Sequence, residues 1–166
     1  MGGNAFTEEI WQFDAVPSVD LDGWRLQVTG RNGLSASLTY DALTKLPSSF
    51  DALLDCTGGW CTEQRWTGWR VDDVLSLAGQ SNHDGMAEVV SVTGHRWTFP
   101  LAELRTMLLA THVGDEPLSP GHGAPVRLVA PGRRGMQWVK WVTDIVISPA
   151  TVVTSGATGP APGERL

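Results

Sequence analysis

Apolar and polar residues alternate with period two in three stretches of the chain and recur at helical spacing in three shorter ones. In WRLQVTGRNGLSASLTY (24–40) the alternation breaks at Gly30–Gly33, which predicts an antiparallel hairpin with its turn there. AEVVSVTGHRWTFP (87–100) predicts a second hairpin turning near Gly94, and WVKWVTDIVIS (138–148) alternates as the strand that closes the fold. The helical segments are YDALTKL, capped by Thr39 and stopped by Pro47; VDDVLSLAG, with Gly79 just past its end; and LAELRTM.

Between these lie FDALLDC (50–56), a buried-strand candidate, and LLATHVGDEPL (108–118), a strand that runs into a turn. APVRLVAPGRRG (124–135) predicts a buried strand followed by a loop bounded by Pro and Gly. Short strands and short helices without long crossovers predict an α+β fold rather than a doubly wound sheet. No internal repeat is present. Residues 1–19 read as an extended arm and 20–148 as one domain. Residues 149–166, small and rich in Gly and Pro, read as a flexible tail.

Composition narrows the function classes. Apolar residues make up 42 % of 166, enough for one core without staples. A net charge of −6 argues against nucleic acid or an anionic membrane as the main partner. Yet Arg127, Arg133, Arg134 and Lys140 are four of the twelve basic side chains and fall between positions 127 and 140. A local basic site in an acidic chain points to a small anionic ligand. No apolar run approaches the roughly 20 residues of a membrane span, and MGGNAFTEEIWQF lacks the basic start and apolar stretch of a signal peptide.

Two constellations carry candidate chemistry. Cys56 and Cys61 are the chain's two cysteines, and TGGW follows the first. They admit a strained disulfide, an inert buried pair, or a thiolate ligand for a soft metal; the glycines after Cys56 would let another group approach the backbone. Zinc is poorly served, because the four histidines show no paired ligand spacing. The second constellation is HGAPVRL with PGRRGMQWVKW. His122 lies at a turn, Arg127 on a strand, and Arg133 and Arg134 in a glycine-bounded loop ahead of Lys140. Backbone amides of such a loop can cradle an anion while Arg and Lys add charge-assisted hydrogen bonds. Neither a Walker-type nor a dinucleotide fingerprint occurs.

In order along the chain, WRLQVTG, LTYDALTKLP, LLDCTGGW, WTGWRVDDVLSLAG, ATHVGDEPLSPGHGAPVRLVAPGRRG and WVKWV resemble the molybdopterin-binding domain of the sulfite oxidase-type oxidoreductases, compact bacterial members among them. The resemblance covers about Trp24 to Ser148. It implies an α+β fold of several small mixed sheets and a molybdenum–molybdopterin cofactor whose metal takes one protein thiolate. By position that thiolate, the catalytic and metal-binding residue, is Cys56. His122, Arg127 and Lys140 would bind the pterin and its phosphate together with Arg133, and Arg134, Gly135 and Trp138 would lie alongside. The implied reaction is two-electron oxygen-atom transfer on a small-molecule or oxidised-group substrate. Electrons would pass to or from a separate partner, such as a membrane haem protein, at the cell envelope or periplasmic side.

The chain departs from sulfite oxidases proper: the first arginine after Cys56 is Arg65, and the only tyrosine is Tyr40. The resemblance therefore carries the cofactor class and leaves the substrate open. Two other readings predict a different metal content: a module of this family that has lost its chemistry and binds a partner, and a zinc or redox site using Cys56 with Cys61.

Overall fold

The computed structural model describes residues 16–47, 65–133 and 137–149. Most of the expected arm, the strand over FDALLDC, Cys56, Cys61, Arg134, Gly135 and the tail beyond Pro149 lie outside the described residues.

The fold is α+β, with two small sheets and short helices. The first hairpin forms as expected: β1 (Arg25–Thr29) pairs antiparallel with β2 (Ser35–Thr39), closed by Gly33 N–H donating to Gly30 C=O at 2.9 Å. Thr39 Oγ1 accepts from Ala42 N–H at 3.0 Å and so caps α1 (Tyr40–Thr44). WTGWR, to which the pattern assigns no element, is β3 (Trp66–Arg70); α2 (Val71–Leu77) follows it directly. Gly79, at φ +78°, closes α2 in the left-handed conformation that favours glycine.

The second hairpin is β4 (Met86–Ser91) with β5 (Arg96–Pro100). The helix expected over 101–107 is only α3 (Leu101–Leu104); beyond it the chain tightens into turns that deliver β6 (Leu108–Val113). β7 (Glu116–Pro117), β8 (Arg127–Val129) and β9 (Val142–Ser148) complete the strands. Among the described residues no helix is long and apolar enough to cross a membrane.

Five strands make the first sheet, in the order β2-β1-β9-β4-β5, with β1 and β9 parallel and the other pairs antiparallel. In the second sheet β3 occupies one edge of β6. β7 and β8 therefore follow one another along its other edge, β7 opposite His112 and Val113 and β8 opposite Leu108 to Ala110. The chain between β7 and β8 must leave the sheet and return to it, and this excursion carries His122. The core is drawn from both sheets and the helices: Leu26, Val89, Ile145, Leu104, Leu108 and Leu128 are buried within it.

Two local devices hold the second sheet and its surroundings. At Gly68 the β3–β6 register shifts, and the strands close so tightly that an added Cβ would lie 1.9 Å from Leu109 O. Only a residue without a side chain fits this approach. Arg105, 5 % exposed, ties helix α2 to the segment after it. It donates to Asp72 Oδ1 (2.6 Å), Gln80 O (2.6 Å) and Asn82 O (2.7 Å).

Gly68→Ala should destabilise the protein by about 3 kcal/mol in urea unfolding, because backbone rather than a flexible side chain must move. A loss under about 1 kcal/mol would show that the strands part easily. Arg105→Ala should cost a similar amount, about 3 kcal/mol, by stranding two carbonyls. An unchanged urea midpoint would deny Arg105 its anchoring role.

Candidate functional site

Three residues of the predicted anion site, His122, Arg127 and Lys140, meet where the two sheets join. Leu118 N–H donates to Thr111 O at 2.9 Å as the chain leaves the second sheet. A single 3-10 turn, Pro120–His122, follows, and Gly123 reverses the chain at φ +103°. An added Cβ at Gly123 would sit 3.0 Å from both Arg127 Cβ and Lys140 Cβ. Glycine is therefore required twice over, for its backbone conformation and for room. The stretch after Trp138 runs beside β8: Leu128 N–H donates to Val139 O (2.8 Å) and Val142 N–H to Val126 O (3.0 Å). It then enters the first sheet as β9.

Lys140 projects from this bridging stretch and Arg127 from the start of β8, and both reach back to the His122 turn. Arg127 Nη1 donates to His122 O at 3.2 Å, and Lys140 Nζ donates to Gly121 O at 3.3 Å. The expected strand over 138–148 begins only at Val142, because Trp141 takes φ +51°. A bulky residue in that conformation is strained and needs several restraints. Trp141 has three: its N–H to Gly123 O (3.4 Å), its indole N–H to Pro120 O (2.7 Å), and its carbonyl accepting from Val92 N–H (2.9 Å).

Arg127 is 2 % exposed, the most buried charge among the described residues. Its guanidinium carbon lies 5.0 Å from the Trp66 ring centroid and 5.6 Å from that of Trp138. The two rings meet edge to face at 5.9 Å. Two indole quadrupoles thus offset part of the cost of removing the charge from water and hold the plane of its donors. The His122 ring is oriented by contact of Nδ1 with Ser119 Oγ. When that hydroxyl donates to Nδ1, the ring proton sits on Nε2 and can be given to an acceptor.

Not every predicted residue joins this cluster. The Arg133 guanidinium turns to α3, where Nε donates to Glu103 Oε1 at 2.8 Å and Nη2 contacts the same oxygen. The hydrogen bond to Glu103 raises the Arg133 pKa further above its ordinary value. Its backbone stays close to the cluster: Trp138 Nε1 donates to Arg133 O at 3.2 Å. Gly132, at φ +76°, makes the Ala130–Arg133 turn that begins the PGRRG loop. Cys56, Arg134 and Gly135 lie outside the described residues. No group of three or more His, Cys, Asp or Glu side chains that could hold a metal occurs among the described residues.

Sequence reasoning gives no site role to Trp66, Ser119 or Gly123, and reads Glu103 only as an acid at a helix start. Only Gly123 carried a usable signal, since a glycine directly after a candidate binding histidine permits close approach. The others depend on tertiary neighbours far away in sequence.

A family model described as the oxidoreductase molybdopterin binding domain matches residues 13–154. Mitochondrial sulfite oxidase of Homo sapiens is 31 % identical over 167 residues, covering 81 % of this chain and 31 % of that protein. The same enzyme of Rattus norvegicus is 32 % identical over 160 residues, covering 76 % and 29 %. The NADH nitrate reductase of Hordeum vulgare is 30 % identical, covering 82 % and 19 %. The chain thus spans less than a third of these relatives' length. In fold it is similar to the sulfane dehydrogenase SoxCD of Paracoccus pantotrophus, with TM-score 0.69 at 22 % identity over 80 % of this chain and 40 % of that one. A domain-length match that takes in the β-sheet junction, the His122 turn and the two tryptophans beside Arg127 places the chain in the oxidoreductase molybdopterin-binding domain family.

Proposed function

We propose that this chain is the cofactor-binding domain of a molybdenum-dependent oxidoreductase, and that His122, Arg127 and Lys140 hold the phosphate of the pterin. The observation that carries this reading is the convergence of a buried guanidinium and an ammonium on one glycine-pivoted turn, in a chain of net charge −6. The residues fit the group: Arg127 is desolvated and has its donors aligned in advance, which suits a phosphate. Lys140 adds a point charge, and His122, its ring set by the Ser119 contact, adds a ring N–H donor. Trp66 and Trp138 exclude water around the guanidinium, which strengthens each electrostatic contact there.

Arg134 and Gly135 would lie along the pterin, beside Trp138, through their backbone. The Arg133 guanidinium, already committed to Glu103, is left out of the phosphate contacts in this proposal. Cys56 would supply the single protein thiolate, a soft ligand suited to a soft metal centre. When bound, the molybdenum cofactor supplies two-electron oxygen-atom transfer, and the chain's own residues bind and orient it and keep water out.

The relatives' names describe redox enzymes of small sulfur and nitrogen compounds. They support a small-molecule or oxidised-group substrate here and an electron-transfer partner, for which a membrane haem protein at the cell envelope is a fitting candidate.

Protein made in a host that assembles this cofactor should carry about one molybdenum and one pterin per chain by elemental analysis and pterin fluorescence. Cys56→Ser should abolish molybdenum-dependent turnover with little change in fold, whereas Cys61→Ser should retain the metal. Loss of one charge-assisted contact removes about 1.5–3 kcal/mol. Arg127→Ala and Lys140→Ala should therefore retain the cofactor at least about tenfold less well, 1.4 kcal/mol being a factor of ten. Arg31→Ala and Arg96→Ala, which lose contacts to Asp84 and Glu88 away from the site, should not. Equal retention in all four arginine and lysine variants would overturn the assignment. Zinc in place of molybdenum would favour a Cys56–Cys61 site, and no metal at all a module without this chemistry.

A further inference from the structure

Among the described residues three tryptophan indoles donate to backbone carbonyls, whereas one buried indole beside the phosphate site has no acceptor. Trp24 Nε1 donates to Val142 O (3.0 Å), Trp138 Nε1 to Arg133 O (3.2 Å) and Trp141 Nε1 to Pro120 O (2.7 Å). Trp66, only 3 % exposed, has its Nε1 buried and without a hydrogen-bond partner among the described residues. A buried donor left unmet is costly, and native structures rarely keep one without a purpose. Phenylalanine at this position would supply an aromatic face to Arg127 and an edge to Trp138 without that cost. Packing and cation–π contact therefore account for an aromatic residue at position 66 but not for an indole.

The location narrows what could supply the missing acceptor. Trp66 begins β3, on the edge of β6 opposite the one that β8 and Arg127 occupy. Its ring nevertheless reaches the guanidinium, 5.0 Å from the centroid. The orphan N–H thus belongs to the same buried cluster as the cation expected to meet an anionic oxygen. A neutral donor next to a guanidinium complements a phosphate, which has more lone pairs than one arginine and one lysine can satisfy.

We propose that the Trp66 indole N–H is a ligand-binding donor, which bonds a phosphate oxygen of the group held by Arg127 and Lys140. This rests on the phosphate site proposed above. It gives Trp66 two roles, with the ring face holding the guanidinium and the ring edge binding the anion. The two roles separate in Trp66→Phe, which keeps the first and removes the second.

The test uses cofactor-free protein titrated with inorganic phosphate and pyrophosphate against chloride at matched ionic strength. Affinity is read by calorimetry, and stability by the melting temperature without anion. Trp66→Phe should melt at or above the wild-type temperature without anion, yet bind phosphate about tenfold more weakly, a difference of about 1.4 kcal/mol. In the wild-type protein, the amide-region NMR signal of the Trp66 indole N–H should move downfield and gain exchange protection on adding phosphate.

A Trp66→Phe protein that melts lower but binds phosphate with unchanged affinity would overturn the proposal, since the indole would then be bonded to the chain's own backbone. So would an indole signal that phosphate does not move, a result that stands even if the variant folds poorly. Arg127→Lys separates the two levels of inference. If it weakens phosphate binding and Trp66→Phe does not, only the Trp66 assignment fails. If neither does, or if the wild-type protein does not bind phosphate, the site itself lies elsewhere and both fail.

Discussion

Burial of the Arg127 guanidinium is the constraint on which the rest of the site depends. A permanent charge at 2 % exposure cannot shed its proton to ease its removal from water, so its surroundings must stabilise it. Two indole rings do part of this, and the carbonyl of His122 does more. Those partners come from β3, from the stretch that links the sheets and from the loop between β7 and β8. The cation is thereby tied to both sheets. In the proposed phosphate site, a guanidinium held this rigidly would forfeit little entropy on binding an anion, and in a dry setting the attraction would be stronger than at the surface.

Around that charge the backbone is shaped in ways that only particular residues allow. Gly123 lets the turn lie against the stems of Arg127 and Lys140, where any side chain would push them apart. Trp141 accepts a left-handed conformation because three hydrogen bonds hold it, and that bend ends the bridging stretch that carries Lys140 and starts β9 at Val142. Gly68 performs a related service at a distance: by letting β3 close onto β6, it fixes the strand that begins with Trp66. The one non-glycine residue with positive φ among the described residues, Trp141, lies at the proposed binding site, as expected where geometry is set for a ligand.

Much of the fold could be read directly from the sequence because its signals are local. Both hairpins, the Thr39 cap and the Gly79 stop follow from periodicity and from residues with one strong conformational preference. β3 escaped because it is five residues long with glycine at its centre, too short to establish a period. The strand expected from Trp138 starts four residues late because tertiary hydrogen bonds override the alternation at Trp141. In the site, the basic and turn residues His122, Arg127 and Lys140 were identifiable as a cluster, since all three lie within one short span of sequence. The redirection of Arg133 to Glu103 and the unmet donor of Trp66 were not, because each arises between residues remote in sequence. Cys56, Arg134 and Gly135 rest on the family resemblance and lie outside the described residues.

If Arg127 and Lys140 form an anion site before any cofactor binds, a crystal of the cofactor-free protein soaked in phosphate will reveal it. One well-ordered phosphate is expected at the His122 turn, with oxygens about 3 Å from both the Arg127 guanidinium and Lys140 Nζ. A structure in which phosphate orders only elsewhere, with a carboxylate of the chain itself seated on Arg127, would contradict it.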